Sequence, residues 1–280
     1  MVDTLKIKKK KPACALSYGE AKEAKMTGEN LERILDLADK AYDEKRYSDS
    51  IDLLTIFLYE SRGVKPELTS RAQARMGWNL YYTGLQENPR RAEGVIENPD
   101  NLKEAVKVWQ NVLERESQSS KIRLSVLNGL PLAVRFFDRE AAHQWSRQGI
   151  QEAEATGDDS LVIKAKNIRI ILLREDGEYA EAKLLAKEVC AAAIRLKDFR
   201  TAGHANQNCA DTIRLEVKNT QKTKAEKGYL LVKAYCDYRI AERQYREFET
   251  ETGQKATAHI EAVQRKAEEC LKEIKNLEQN

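Results

Sequence analysis

Apolar residues recur three and four positions apart through most of the chain, a spacing that predicts helices arranged in successive pairs. From Asn30, read as an N-cap, Leu31, Ile34, Leu35, Ala38 and Ala41 form one stripe; beyond Lys45-Arg46, Tyr47, Ile51, Leu54 and Leu58 form a second. Further helices are expected over 67–83 and 101–116, 121–137 and 139–155, 160–174 and 178–196, and then 199–217. Between the second pair lies 86–100, where Asn88-Pro89, Gly94 and Asn98-Pro99 forbid helix and mark a long loop, read as tolerated slack. Pro131 falls inside a predicted helix and should kink it, because its ring removes an amide donor and crowds the preceding turn. Two longer stripes close the chain. One runs Leu231, Ala234, Tyr238, Ala241, Tyr245 and Phe248; after Thr252-Gly253, the other runs Ile260, Val263, Ala267, Cys270, Ile274 and Leu277. Adjacent heptad stripes joined by a short glycine turn predict an antiparallel helical hairpin, which would cap the core or dimerise. The start, 1–29, reads as a basic, poorly ordered lead-in with at most a short helix over 17–26.

A helix pair cannot bury its apolar stripe alone, so stacked pairs must share a core and keep small residues where helices meet closely. Gly177-Glu178-Tyr179-Ala180-Glu181-Ala182 carries that signature most clearly, continued by Ala186 and Val189. Diluted copies appear upstream: Gly77, Leu80, Ala105 and Trp109; Gly129, Leu132, Ala141 and Trp145; and Ala38, Ala41, Tyr47, Ser50 and Leu54. Over about 30–196 the chain resembles the tetratricopeptide-repeat (TPR-like) family. The resemblance implies an all-α, right-handed α-solenoid of stacked helical hairpins. With the closing hairpin it divides the chain into the lead-in 1–29, a repeat array over 30–217 and a C-terminal hairpin over 218–280.

In that family the first helices line a concave groove. Carried over by register, the open positions are Glu32, Leu35, Asp39, Tyr42 and Asp43; Arg71, Ala74, Trp78, Tyr81 and Tyr82; and Arg123, Val126, Leu130, Ala133 and Val134. Arg71, Arg75, Trp78, Tyr81, Tyr82 and Arg123 combine aromatic area with guanidinium forks and form the candidate peptide-binding groove. The alternative for the rings is core packing, and for the arginines a solvated face. Family members that grip a chaperone's C-terminal carboxylate need Lys, Asn and Arg where this chain has Leu35, Asp39 and Leu127. Only Arg123 and Arg75 fit, which argues against that partner.

Charge narrows the function classes. The net charge is +3, but 1–12 alone holds five lysines against Asp3, so the rest of the chain is near neutral. A near-neutral body argues against a general nucleic-acid surface. The lysine run reads as a solvated end, with a localisation signal or a contact for acidic surfaces as the alternatives. No apolar run is long enough to span a bilayer, and the expected location is cytoplasmic. The cysteines Cys14, Cys190, Cys209, Cys236 and Cys270 are scattered and odd in number, which suits reduced, mostly buried thiols.

Enzyme signatures are missing. There is no phosphate-cradling glycine loop, nucleophile elbow or zincin pair. Glu140 and His143 share a helical face, but a di-iron bundle needs a second such motif, so they are read as a surface pair. The sequence therefore predicts a non-catalytic protein- or peptide-binding scaffold without cofactor or metal, taking an acidic or aromatic partner. Self-assembly through the closing hairpin, as a homo-oligomer, and helical-repeat RNA binding are the alternatives.

Overall fold

The computed structural model describes residues 28–61, 66–85, 96–117 and 120–279 of the chain. The short helix expected over 17–26, the lysine run and most of the loop 86–100 lie outside the described residues. Among those described, eleven α-helices follow one another, and the only pairing of extended backbone is an isolated bridge from Leu85 to Ile96. The helices fall into two units, Met1–Glu116 and Ser117–Asn280.

The first unit holds α1 (Gly28–Asp43), α2 (Tyr47–Glu60), α3 (Pro66–Gly84) and α4 (Pro99–Arg115). Leu31, Ile34, Leu35 and Ala38 of α1 close on Leu53, Leu54 and Phe57 of α2 and on Ala72 and Met76 of α3. Small residues set the approach distances. Ser50 donates to the Ala38 carbonyl at 2.8 Å and accepts from Asn79 at 2.9 Å, so one buried hydroxyl ties three helices. Gly77 leaves room for the fully buried Trp109 of α4, whose indole N–H donates to the Ala74 carbonyl at 3.1 Å.

The second unit holds α5 (Lys121–Val134), α6 (Arg139–Thr156), α7 (Asp159–Glu175), α8 (Tyr179–Arg195), α9 (Phe199–Asn219), α10 (Lys224–Thr252) and α11 (Thr257–Gln279). Its main core joins Ile163, Ile170 and Leu173 of α7 to Ala182, Ala186 and Val189 of α8, then to α9, α10 and α11. Pro131 lies one turn from the end of α5, which stops at Val134, and Arg135 N–H then bonds the Pro131 carbonyl at 3.1 Å. The long C-terminal stripe is inward: Leu231, Ala234, Tyr238, Ala241 and Tyr245 are all buried. Gly203 of α9 lets the Tyr245 ring lie against the backbone. α10 begins at a capping box formed by Thr223 and Glu226.

The same turn joins several pairs. After α1, Arg46 N–H reaches back to the Ala41 carbonyl at 2.8 Å and Lys45 N–H to Tyr42 at 2.9 Å; after α7, Glu178 reaches Leu173 at 2.9 Å and Gly177 reaches Arg174 at 3.3 Å. This is the Schellman arrangement, which needs a left-handed residue just past the helix. Gly177 takes it at φ 82° without strain, whereas Lys45 takes it at φ 59° against its own Cβ.

Candidate functional site

The residues singled out on α3 form a connected ring system in the first unit. Helical spacing puts Arg71, Arg75, Trp78 and Tyr82 on successive turns of one face. Tyr82 stacks on Tyr47 with centroids 5.0 Å apart and rings 11° from parallel, and on Trp78 at 6.0 Å and 26°. Tyr42, from the last turn of α1, meets Tyr82 edge-on at 6.0 Å. Trp78 in turn packs edge-on against Trp109 at 5.2 Å. Four of these rings, Tyr42, Tyr47, Trp78 and Tyr82, are half-buried. Tyr81 is only 6% exposed and packs beneath them, as core.

Charge is organised around Asp39. Arg75 Nε donates to it at 2.7 Å, Arg71 bonds its other oxygen, and Arg71 also lies 3.8 Å from Asp36. The Arg75 guanidinium sits 4.0 Å above the Tyr42 ring, a cation–π contact. Burial holds the Tyr42 phenol well above its usual range, reinforced by Tyr82 and opposed by Arg75, so it is a neutral hydrogen-bonding group. One edge of the ring system opens into a depression of about 480 Å³ lined by Lys45, Arg46, Tyr47, Ser48, Asp49, Tyr82, Thr83, Leu85 and Glu97. Flat ring faces can take an apolar or aromatic side chain, while phenols, hydroxyls and guanidinium forks can meet carbonyls and carboxylates.

Arg123 lies in the second unit, and its geometry there is that of a clamp. Its Nε and Nη2 meet the two Glu152 carboxylate oxygens at 2.7 and 2.9 Å, and both side chains are about one-tenth exposed, at 11% and 12%. The pair holds α5 to α6. The register carried over from the resemblance also put Leu35, Ala74, Val126, Leu130, Ala133 and Val134 on an open face, and the structure buries all six. For α5 the reason is composition: its apolar residues run round the whole circumference, so no side of it is left as a polar groove wall.

Sequence spacing on α3 finds Trp78 and Tyr82, but not their continuation through Tyr47, because that residue opens a different helix, where it begins the apolar stripe. The surface pair Glu140 and His143 is divided between two networks. Glu140 accepts from Arg147 at 3.2 Å, whereas His143 lies between Arg169 and Asp176, 2.5 Å from the latter. Among the described residues no group of three His, Cys, Asp or Glu side chains could hold a metal ion. Of the cysteines described, Cys209 and Cys270 are buried, Cys190 is half-buried and Cys236 is exposed.

The fold defines a class: an all-α helical-repeat protein of TPR-like type. Two solved structures share it. A Podospora anserina kinesin light chain of nearly identical TPR-like repeats is 13% identical, with a TM-score of 0.51 over 76% of this chain and 96% of its own. A Rap protein in complex with competence and sporulation factor is 11% identical, with a TM-score of 0.51 over 91% of this chain and 79% of its own. No protein-family model and no curated protein matches the sequence. No helix among the described residues is long and apolar enough to cross a membrane.

Proposed function

We propose that this chain is a non-catalytic scaffold that binds a protein or peptide, and that the first unit holds the partner on Arg71, Arg75, Trp78 and Tyr82 together with Tyr42 and Tyr47. The observation that carries the reading is the half-buried ring stack flanked by two guanidinium groups. A core would bury such rings and a solvated face would not assemble them, whereas rigid aromatic area beside arginine is what binding surfaces concentrate. Asp39, with Asp36 3.8 Å from Arg71, holds the two guanidinium forks in place beside the rings, where their other N–H groups can meet a partner's carbonyls or carboxylate. An acidic or aromatic peptide is therefore the preferred ligand. The TPR-like Rap protein, seen in complex with a competence and sporulation factor, supports a bound partner on this type of fold. Preorganisation is the mechanism: the stacked hairpins already hold the rings, so most of the ordering cost falls on the partner.

The test uses the full chain as bait in native lysate, beside Arg71→Glu/Tyr82→Ala. The variant should lose its captured partner while its helical signal and melting stay as in the parent. Equal capture by both would remove the binding face from the first unit.

A further inference from the structure

The second unit carries an outward apolar stripe that its own packing does not use. On α10 the inner positions Leu231, Ala234, Tyr238, Ala241 and Tyr245 are buried against α9 and α11. The outer positions Tyr229, Val232, Cys236 and Ile240 fall three or four apart on the opposite side; Tyr229 is 69%, Val232 48% and Ile240 47% exposed. An outer helix face ordinarily looks like that of α6, where Glu140, Gln144, Arg147 and Gln151 face solvent. Three large apolar side chains and a thiol in one line, beside a complete inner stripe, make α10 a helix with two apolar seams.

The charges and rings around this outer seam match their own reverse. Take Cys236 as the centre of an antiparallel pair of α10 helices. Val232 then meets Ile240 and Tyr229 meets Arg243, each contact occurring twice. The Arg243 side chain is 81% exposed on this surface and bonds Glu247 one turn on at 3.1 Å, so it enters the contact with its own counter-charge. The pairing supplies an apolar centre with a cation over an aromatic face at each end. Lys233 and Arg239 lie on opposite flanks of the seam, and Glu242 bonds Arg239 at 2.5 Å. A parallel pairing would set Arg243 against its own copy.

We infer that two copies of this chain associate in solution through the outer face of α10, antiparallel, with Val232, Cys236 and Ile240 at the centre of the contact. The inward residues Tyr238 and Tyr245 play no part in it. Each is held within its own unit, Tyr245 by packing on Gly203 and by hydroxyl contacts of 2.9 Å to His204 and 3.1 Å to Gln207.

Sedimentation equilibrium of the full chain should give twice the 32.0 kDa chain mass, and Val232→Glu should return it to the single-chain mass with unchanged melting. Adding Ile240→Lys to that variant should restore the dimer, because only the antiparallel pairing brings each new glutamate opposite a new lysine. Diamide should cross-link the parent through Cys236, two thiols yielding one disulfide as the reagent takes up both hydrogens, and Cys236→Ser should abolish the product. A single-chain mass for the parent at up to about 100 µM, a dimer that survives Val232→Glu, or a double variant that stays monomeric would each overturn the inference. Should Val232→Glu lower the melting temperature, Tyr229→Ser/Ile240→Ser serves as the disrupting pair, and a dimer surviving it counts against the proposal equally.

Discussion

Replacing Gly77 by alanine should destabilise the first unit, although the same change in an open helix stabilises. Alanine is preferred to glycine inside a helix by roughly 1 kcal/mol. At position 77, however, an added Cβ would lie 2.2 Å from Trp109 Nε1 and 2.5 Å from Cε2, well inside contact distance. The indole is fully buried and its N–H is bonded to the Ala74 carbonyl, so it cannot swing into water without abandoning that bond. Overpacking costs about 1–3 kcal/mol, and a buried donor left unmade costs about 1–3 kcal/mol more. Set against the propensity gain, the net loss is about 3 kcal/mol. For a unit of this size that corresponds to a fall in melting temperature on the order of 10 °C. Thermal and urea melts followed by circular dichroism, with tryptophan fluorescence to report on Trp78 and Trp109, measure it. Gly228→Ala on α10 is the control, since nothing lies within 4 Å of its added Cβ; a gain of about 0.5–1 kcal/mol is expected there. A Gly77→Ala protein as stable as its parent would refute the claim that α3 and α4 meet at van der Waals contact through this glycine.

Breaking the clamp on α5 should matter more than replacing it. Arg123→Met alone takes the cation from Glu152 in a mostly closed site, leaving neutral donors such as Gln148 at 2.9 Å, and should cost about 3 kcal/mol, while Arg123→Met/Glu152→Leu should recover most of that in the same melts. His204 supplies a pH dependence. Burial, helped by the nearby His259 and Arg200 and opposed by Asp198, lowers its pKa from 6.5 to about 4. The unfolded chain therefore takes up a proton near pH 6.5 that the folded chain refuses. Stability from this group is complete above that pH, falls as pH drops toward 4, and the total loss is on the order of 3 kcal/mol. His204→Gln should flatten this part of a stability-versus-pH curve measured in urea, with Tyr245 and Gln207 still in place. Burial also pushes the thiol of Cys209 up to about 12 and that of Cys270 up to about 11. At pH 8, iodoacetamide mapping should find both unmodified until denaturant is added.

Helix positions and pairing were legible in the sequence because local spacing and propensity decide them. The stripes at 31–41 and 47–58 became α1 and α2, and the predicted breaks at Lys45-Arg46 and Gly177 became the observed turns. What spacing cannot reveal is which side of a helix a neighbour will cover. Trp78 and Tyr82 were singled out from one helix, but Tyr47, which completes their stack, opens another. Arg123 looked like part of the same face and instead found Glu152, a residue 29 positions away. The C-terminal stripe was open to capping the core or dimerising, and the structure buries its α10 half against α9 and α11.

Taken alone, the order of residues determined that this protein is helical, that its helices come in hairpins, and where most of them turn. Those properties follow from interactions within about four residues along the chain, which hydrophobic period, glycine and capping chemistry encode directly. The tertiary structure decided which rings remain half-open beside Asp39, which arginine is enclosed by a carboxylate, and which seam of α10 faces outward. Each of these depends on groups brought together from separate helices, and only packing brings them within contact distance.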